Sequence, residues 1–390
     1  MTDSPGEVAR FLTRNAVEAL PQGELERQLS LDRPLRVKLG VDPTTPDIHL
    51  GHTVVLRKLR EFQDLGHRVV LIIGDYTARV GDPSGRSALR PSVDPAEIDR
   101  NAATYADQAF RVLDRSKTEV RRNGEWLDMP MEELFRLART STVAQLLERD
   151  DFSQRYNARE PISILELLYP LMQGYDSVAV RSDVELGATD QKFNVLLARE
   201  VQRAYGIEPQ SILAMPILPG IDGVQKMSKS LGNYVGVDEP PEEIYGKLMR
   251  VPDEAMPIYA SLLLDAPLDP HASARDSKRA LARQVTARLC GEAAAQAAEE
   301  RFDTLHVRRE LPEQIDDFGF SANGGTVHLP ALLADAFGIS RSEGRRMLAQ
   351  AAVRLDGEPL DDSALDLPAE RLDGVVIQLG RRRFKRLHRA

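Results

Sequence analysis

At 390 residues the chain is too long for one compact core, so two or three domains are expected, and 42% hydrophobic with 28% charged residues is an ordinary globular composition. No apolar run reaches the roughly 20 residues of a membrane helix, and the acidic, proline-containing start lacks the pattern of a signal peptide, so a cytoplasmic location is expected. The single cysteine, Cys290, excludes an intramolecular disulfide framework, and a net charge of −9 argues against a chain coated for nucleic acid. The charge is uneven, however: residues 325–390 carry 11 Lys and Arg against 9 Asp and Glu, and the last ten residues hold six basic side chains and no acidic one.

Residues 6–30 read as a mostly helical lead-in. Residues 35–41 form a short strand stopped by Asp42 and Pro43, and residues 53–65 a helix with Val55, Leu56, Leu59 and Phe62 at spacings of three and four, closed by Gly66. RVVLII at 68–73 is, after Arg68, a continuous apolar run of the kind buried on both faces of a parallel sheet. Strand, helix, strand makes a βαβ unit with a right-handed crossover, so the expected fold is α/β, a Rossmann-like doubly wound parallel sheet. Helical patterns follow at 94–113, 131–148 and 163–180 and form an insertion before strands at 183–186 and 211–218.

Beyond Pro240 and Pro241 the pattern is helical again, at 244–249, 256–264 and 277–300, and residues 309–326 read as a linker. The final segment predicts two short helices around Gly338, a strand at 353–355, a turn at Asp356-Gly357 and a last strand at 374–379. The expected division is therefore a Rossmann-like catalytic domain at 1–236 with a helical insertion at about 94–180, an α-helical domain and linker at 237–324, and a small α+β RNA-binding domain at 325–390.

Two stretches carry chemistry. In VKLGVDPTTPDIHLGH, residues 37–52, a strand gives way to a loop and a helix start, where backbone N–H groups and the helix dipole favour a nucleotide. Gly51 removes a Cβ from the approach of a base or ribose, and His49 and His52 are hydrogen-bond donors for phosphate oxygens. Taken alone, HLGH is equally a helix N-terminus with two solvated histidines. In KMSKS, residues 226–230, two ammonium groups on a loop after Gly220 and Gly223 are suited to neutralise a departing pyrophosphate.

The chain resembles class I aminoacyl-tRNA synthetases, and specifically the bacterial-type tyrosyl-tRNA synthetases. The blocks VDPTTPDIHLGH, GDYTARVGDPSGR, LYPLMQGYD followed by GATDQKFN, and KMSKS fall in the family's order, and a C-terminal segment resembling a small ribosomal-protein-type RNA-binding domain completes the match. The resemblance implies ATP-dependent attachment of L-tyrosine to tRNA(Tyr) through a tyrosyl-adenylate, with Mg2+ accompanying ATP as substrate, no tightly held cofactor, no metal held by the protein, and a homodimer formed through the helical insertion.

By position, the resemblance assigns Asp42, Thr44, His49, Gly51 and His52 to the ATP site, Asp82 to the substrate ammonium, and Arg86 and Arg90 to the pyrophosphate. Tyr169 and Gln173 hold the amino-acid ammonium and Asp176 the phenolic hydroxyl; their spacing of four and three turns all three to one pocket. Asp190 and Gln191 match the pair that meets ribose and the substrate carboxyl region, and Lys226, Lys229 and Ser230 the mobile loop. One departure stands out: Lys38 lies where the better-known branch has a tyrosine, and Asp75 where it has glycine, so a buried Lys38–Asp75 ion pair is expected to replace the missing hydroxyl; a second bacterial branch has lysine at this place.

In the C-terminal segment Arg341, Arg345, Arg346, Arg382 and Lys385 are expected to contact tRNA, with Phe384 available for stacking on a base. A tryptophanyl-tRNA synthetase, a nucleotidylyltransferase of the same superfamily and a non-catalytic RNA-binding paralogue are the alternatives.

Overall fold

The computed structural model describes residues 4–43, 48–83, 94–264, 267–308, 315–322, 325–360, 365–380 and 383–389, so Thr44, Arg86, Arg90 and Arg382 lie outside the described residues. The chain forms two compact units, residues 1–295 and 296–390.

The first unit is built on a six-stranded sheet. A Ser4 capping box starts α1 (Pro5–Thr13), and β1 (Glu18–Leu20) and α2 (Glu24–Leu29) follow, so the helical lead-in is interrupted by a strand. Then come β2 (Arg36–Val41), α3 (Leu50–Asp64), β3 (Arg68–Ile73), α4 (Thr77–Val80), α5 (Pro95–Ala109) and β4 (Thr118–Arg122). The insertion continues with α6 (Gly124–Leu127), α7 (Met131–Ala138), α8 (Val143–Leu146), α9 (Asp150–Asn157) and α10 (Ile164–Ala179). β5 (Val184–Ala188), α11 (Lys192–Ala204) and β6 (Ser211–Met215) complete the sheet, and α12 (Pro241–Leu248), α13 (Met256–Leu263) and α14 (Ala274–Cys290) lie within the same unit.

The strand order is β1-β6-β5-β2-β3-β4, parallel except for β1. Val37, Val69, Val70, Leu71, Ile72 and Val184 are fully buried, as a parallel sheet covered on both faces requires. β4 was hidden in the sequence because TEVRR is an edge strand with no buried position. From β2 the chain winds outward through β3 to β4, then returns to the other side of β2 for β5 and β6. The β2/β5 junction is therefore the topological switch point, where open α/β sheets leave a crevice beyond the strands' carboxyl ends.

The second unit begins inside α15 (Glu292–Phe302) and contains β7 (Asp317–Phe320), β8 (Thr326–His328), α16 (Leu329–Phe337) and α17 (Arg341–Ala349). β9 (Val353–Leu355), β10 (Glu358–Leu360), β11 (Asp366–Pro368), β12 (Val376–Leu379) and β13 (Arg383–Arg389) follow. The sheet order is β10-β9-β12-β13-β7, and β8 pairs with β11. Leu329, Leu333, Leu348, Val353, Ile377 and Leu387 form its core. Two expectations change here: the linker region 309–326 supplies β7, and the strand at 374–379 is not the last, because the basic tail is itself a strand between β12 and β7. Charged side chains concealed β13: only Leu387 is buried, while the ladder hydrogen bonds come from the backbone.

Candidate active site

A cavity of about 740 Å³ opens at the switch point. Its walls come from the carboxyl ends of β2 (Val41, Asp42), β3 (Gly74, Thr77), β4 (Asn123), β5 (Ala188, Asp190, Gln191) and β6 (Pro216, Ile217), closed by the start of α3, one face of α10 and the KMSKS loop. Of the residues singled out from sequence, Asp42, His49, Gly51, His52, Asp82, Tyr169, Gln173, Asp176, Asp190, Gln191, Lys226, Lys229 and Ser230 all line it.

One end is built from the two signature stretches, which are joined by backbone. Leu50 N donates to Val235 O (2.9 Å), Val237 N donates to Ile48 O (2.9 Å), and His49 bridges Gly236, so the chain leaving KMSKS is laced to the start of α3. His49 is the N-cap of α3 rather than a residue of its first turn. Its Nδ1 accepts from Gly51 N (3.2 Å), and Nδ1 of His52 accepts from His49 N (3.2 Å). With both Nδ1 atoms occupied as acceptors, a neutral ring carries its proton on Nε2. Burial, aided by His52 in the case of His49 and by the neighbouring lysines for both, pushes His49 down to about 2 and His52 down to about 4, so both stay neutral near pH 7 with Nε2–H left as the donor. Gly51 has a further role: a Cβ there would lie 2.9 Å from the His49 ring, so glycine is what lets that ring fold back over the helix end.

In the KMSKS loop Met227 is buried and its N donates to Leu218 O (3.1 Å), anchoring the centre of the loop. Lys226, exposed, pairs with Asp190 at 2.8 Å, and Lys229 Nζ sits 5.8 Å from the centre of the Tyr234 ring. Ser228 N donates to Asn233 Oδ1 (2.8 Å), and the Ser228 and Ser230 hydroxyls are 2.9 Å apart. Asn233 and Tyr234 were not singled out from sequence; they lie a few residues past the motif and have no spacing of their own.

The opposite end is a set of carboxylates, of which Asp176 is buried and Asp42 and Asp82 are half-buried. Asp42 accepts from Thr77 Oγ1 (2.7 Å) and Tyr169 Oη (2.8 Å), and burial pushes it up to about 7. A Cβ on Gly74 would lie 2.0 Å from Asp42 Oδ1, so only glycine admits the carboxylate there. Asp176 accepts from Trp126 Nε1 (2.8 Å) and more distantly from Asn123 Nδ2 (3.4 Å), and burial pushes it up to about 6 while Lys38 draws it down. Asp82 accepts from Gln191 Nε2 (2.8 Å), and Asn194 Nδ2 donates to both Gln191 Oε1 (3.1 Å) and Gln173 Oε1 (3.0 Å). Thr77, Asn123, Trp126 and Asn194 were missed in the sequence because the fold, not a spacing along the chain, brings them to Asp42, Asp176 and Gln173.

The expected Lys38–Asp75 pair is not formed. Lys38 is opposite Val70 in the β2/β3 register, and Asp75 lies five residues further along the chain, in the turn beyond the end of β3. Asp75 instead accepts from Gly124 N (2.9 Å). On the other side Lys38 is in register with Glu185 of β5, and their side chains meet at 2.8 Å with 0% and 1% exposure. A glutamate in the middle of the buried strand VELGA was the available signal. Neither Lys38 nor Asp75 lines the cavity.

In the second unit Arg341, Arg345 and Arg346 are exposed on α17. Lys385 is paired with Asp316 at 2.9 Å, and Phe384 is half-buried in β13 opposite Gln378. Among the described residues no group of three or more His, Cys, Asp or Glu is arranged to hold a metal ion, and no helix is long and apolar enough to cross a membrane.

Comparison with known proteins decides between the readings that share this fold. A model of class I tRNA synthetases (W and Y) matches residues 30–307. The tyrosine–tRNA ligase of Moorella thermoacetica is 49% identical over 97% of this chain and 95% of its own. Those of Thermotoga maritima (47%, 98% of each) and Coxiella burnetii (46%, 98% of this chain and 99% of its own) are similar over their full lengths. The chain belongs to the tyrosine–tRNA ligase family. This ligase is an aminoacyl-tRNA synthetase that attaches tyrosine to tRNA, and the tryptophan alternative is not favoured. Its fold is also that of a tyrosyl-tRNA synthetase of Archaeoglobus fulgidus solved with L-tyrosine (TM-score 0.64, 24% identity, 76% of this chain and 100% of that one) and of a C-terminally truncated mitochondrial enzyme of Aspergillus nidulans (TM-score 0.65, 22% identity, 78% and 94%).

Proposed function

We propose that the ligation runs in two steps and that the two ends of the cavity divide the substrates of the first. The tyrosine carboxylate attacks the α-phosphorus of ATP, pyrophosphate leaves, and the tyrosyl group of the adenylate then passes as an ester to the 3′ end of tRNA(Tyr). A carboxylate is already a nucleophile, so no general base is needed and catalysis rests on positioning and charge stabilisation. Asp82, Tyr169 and Gln173 hold the ammonium group, Asp176 the phenolic hydroxyl, and Asp42, Gly51, Asp190 and Gln191 the nucleotide and the substrate carboxyl region.

His49 and His52 donate to the phosphates. Lys226, Lys229 and Ser230, with Thr44 and Arg86 as residues assigned by resemblance, tighten as pyrophosphate departs. Mg2+ enters with ATP, bridging its phosphates. The carrying observation is that both signature stretches, cross-linked by backbone, face a withdrawn carboxylate across one cavity. Tyrosine-dependent exchange of pyrophosphate into ATP, with tryptophan in parallel, tests this; no exchange with tyrosine would sink it. A non-catalytic paralogue is disfavoured because Lys226, Lys229, His49 and His52 are all retained.

The same reading assigns the second unit to tRNA, through Arg341, Arg345, Arg346, Arg382 and Lys385, and places the protein in the cytoplasm. It makes the helical insertion a homodimer surface, because Met131 (61% exposed), Phe135 (56%) and Ile164 (79%) leave apolar area in water.

A further inference from the structure

Lys38 departs from the better-known sequence pattern and never reaches the cavity, yet its ammonium group has all three of its donors engaged. Nζ donates to Gln173 O (3.0 Å) and Ser177 Oγ (2.7 Å) and pairs with Glu185 Oε1 (2.8 Å). Ser177 Oγ donates onward to Glu185 Oε2 (3.1 Å), and Gln210 Nε2 donates to the same oxygen. Lys38, Ser177, Glu185 and Gln210 are all at most 1% exposed. Two of the anchors, Gln173 O and Ser177 Oγ, bracket the single turn of α10 that carries Gln173 and Asp176 into the pocket. An ion pair so fully desolvated is a weak source of stability against an apolar replacement of the same shape, but a strict constraint on geometry.

We propose that Lys38 is the positioning residue of the amino-acid pocket: paired with Glu185, it pins the turn 173–177 of α10 to β2 and β5 and so sets how Asp176 meets the phenolic hydroxyl of the substrate. The proposal rests on the assignment of Asp176 to that hydroxyl. It places the specificity device behind the wall of the pocket, where the sequence suggested a direct contact. The charge adds to the geometry. The titratable groups around Asp176 are Lys38 on β2, Glu185 on β5, Asp42 beyond β2 and Tyr169 on its own helix, with neutral Trp126 and Asn123 from the α6 side. Lys38 is the cation of this set and holds Asp176 toward its ionised, hydrogen-bond-accepting form, a pull larger than the opposing push of Glu185.

The test compares the wild type with K38M, K38M/E185Q, S177A and D176N in tyrosine-dependent pyrophosphate exchange, each variant accompanied by its melting temperature. K38M alone leaves Glu185 buried and unpaired, and a fall in melting temperature is expected. K38M/E185Q removes both charges, and its melting temperature should recover toward the wild type. Its KM for tyrosine should nevertheless stay raised by about tenfold with kcat within about threefold, and the acidic limb of its kcat/KM profile should move up by about one pH unit. A purely structural role predicts that KM and the pH limb recover along with the melting temperature, and that result overturns the proposal.

Should the double variant fail to fold, S177A decides. It removes the hydroxyl between Lys38 and Glu185 while both charges remain, and a KM raised by about threefold is expected; an unchanged KM overturns the proposal. D176N reads the pocket assignment itself. An unchanged KM in D176N removes that assignment, whereas a raised KM in D176N beside wild-type values in the Lys38 variants removes only the role of Lys38.

Discussion

The two ends of the cavity are prepared in opposite electrostatic states. At the phosphate end, groups that could carry positive charge are kept back: His49 and His52 are held neutral with their Nε2–H groups forward, and Lys226 is already paired with Asp190. Across the cavity, groups that carry negative charge are drawn toward the protein: Asp42, proposed for the nucleotide, and Asp176, proposed for the phenol, sit where burial raises their proton affinity, held by Thr77, Tyr169 and Trp126. On the proposed assignment, the difference follows from what each end receives. A departing pyrophosphate develops charge during the reaction, so cations on an exposed loop that engage it only then accelerate the step. A phenol and an ammonium group are the same before and after activation, so their partners are fixed in advance by rigid strands and α10.

The contrast breaks most visibly at the loop. Removing both ammonium groups in K226A/K229A is expected to lower the rate of adenylate formation by about 10³-fold while the KM for tyrosine stays near that of the wild type. A large rise in tyrosine KM in this variant, measured by pyrophosphate exchange, would show that the ends are not separate. The complementary change, D176N, should raise the KM for tyrosine by roughly 10- to 100-fold and leave the KM for ATP unaltered, as expected for losing a hydrogen bond to a charged acceptor.

Asp176 should also give the tyrosine end a pH dependence that the phosphate end lacks. With its carboxyl pushed up to about 6, the accepting form is lost as pH falls through 6, so kcat/KM for tyrosine should fall about tenfold per unit below that point, and D176N should flatten the limb. The stability linkage runs the other way: carboxylates with raised proton affinity make the native state bind more protons than the unfolded chain, so this contribution to stability declines as pH rises from about 4 toward 7. Urea midpoints of the wild type and D176N across that range check the sign.

A smaller effect is expected from G74A. Its methyl group would meet Asp42 and force the carboxylate to shift, costing about 1–3 kcal/mol of stability and weakening tyrosine binding through Tyr169. A variant with an unchanged melting temperature and unchanged KM would mean that Asp42 has room to move. The smallest change should leave both ends untouched: R341A/R345A is expected to reduce aminoacylation of tRNA by a few fold at moderate salt and to flatten its salt dependence, with pyrophosphate exchange unaffected.

Much of the first unit was legible in the chain. RVVLII at 68–73 gives β3 with its observed bounds, and the βαβ reading of residues 35–73 is the core of the observed sheet. Local chemistry was enough there, because the run 69–73, buried on both faces, is apolar throughout. β1, β4 and β13 escaped for the converse reason: an edge strand or a strand with one buried residue is held by backbone hydrogen bonds, which leave no mark in side-chain pattern. The same limit applied in the site. His49, His52 and the KMSKS lysines stand in short motifs, whereas Tyr169, Gln173 and Asp176 were assigned through the family resemblance, with which their spacing agrees.

The sequence by itself determined the fold class, the family's two signature stretches and most of the residue types that line the cavity, because these depend on neighbours along the chain. Only the tertiary structure decided what each one touches. It replaced Asp75 by Glu185 as the partner of Lys38, brought Thr77 to Asp42 and Trp126 to Asp176, and laced the KMSKS exit to the start of α3. Those pairings depend on strand register and on which strands are neighbours. A buried charge reveals its partner only once the order β5-β2-β3 is known.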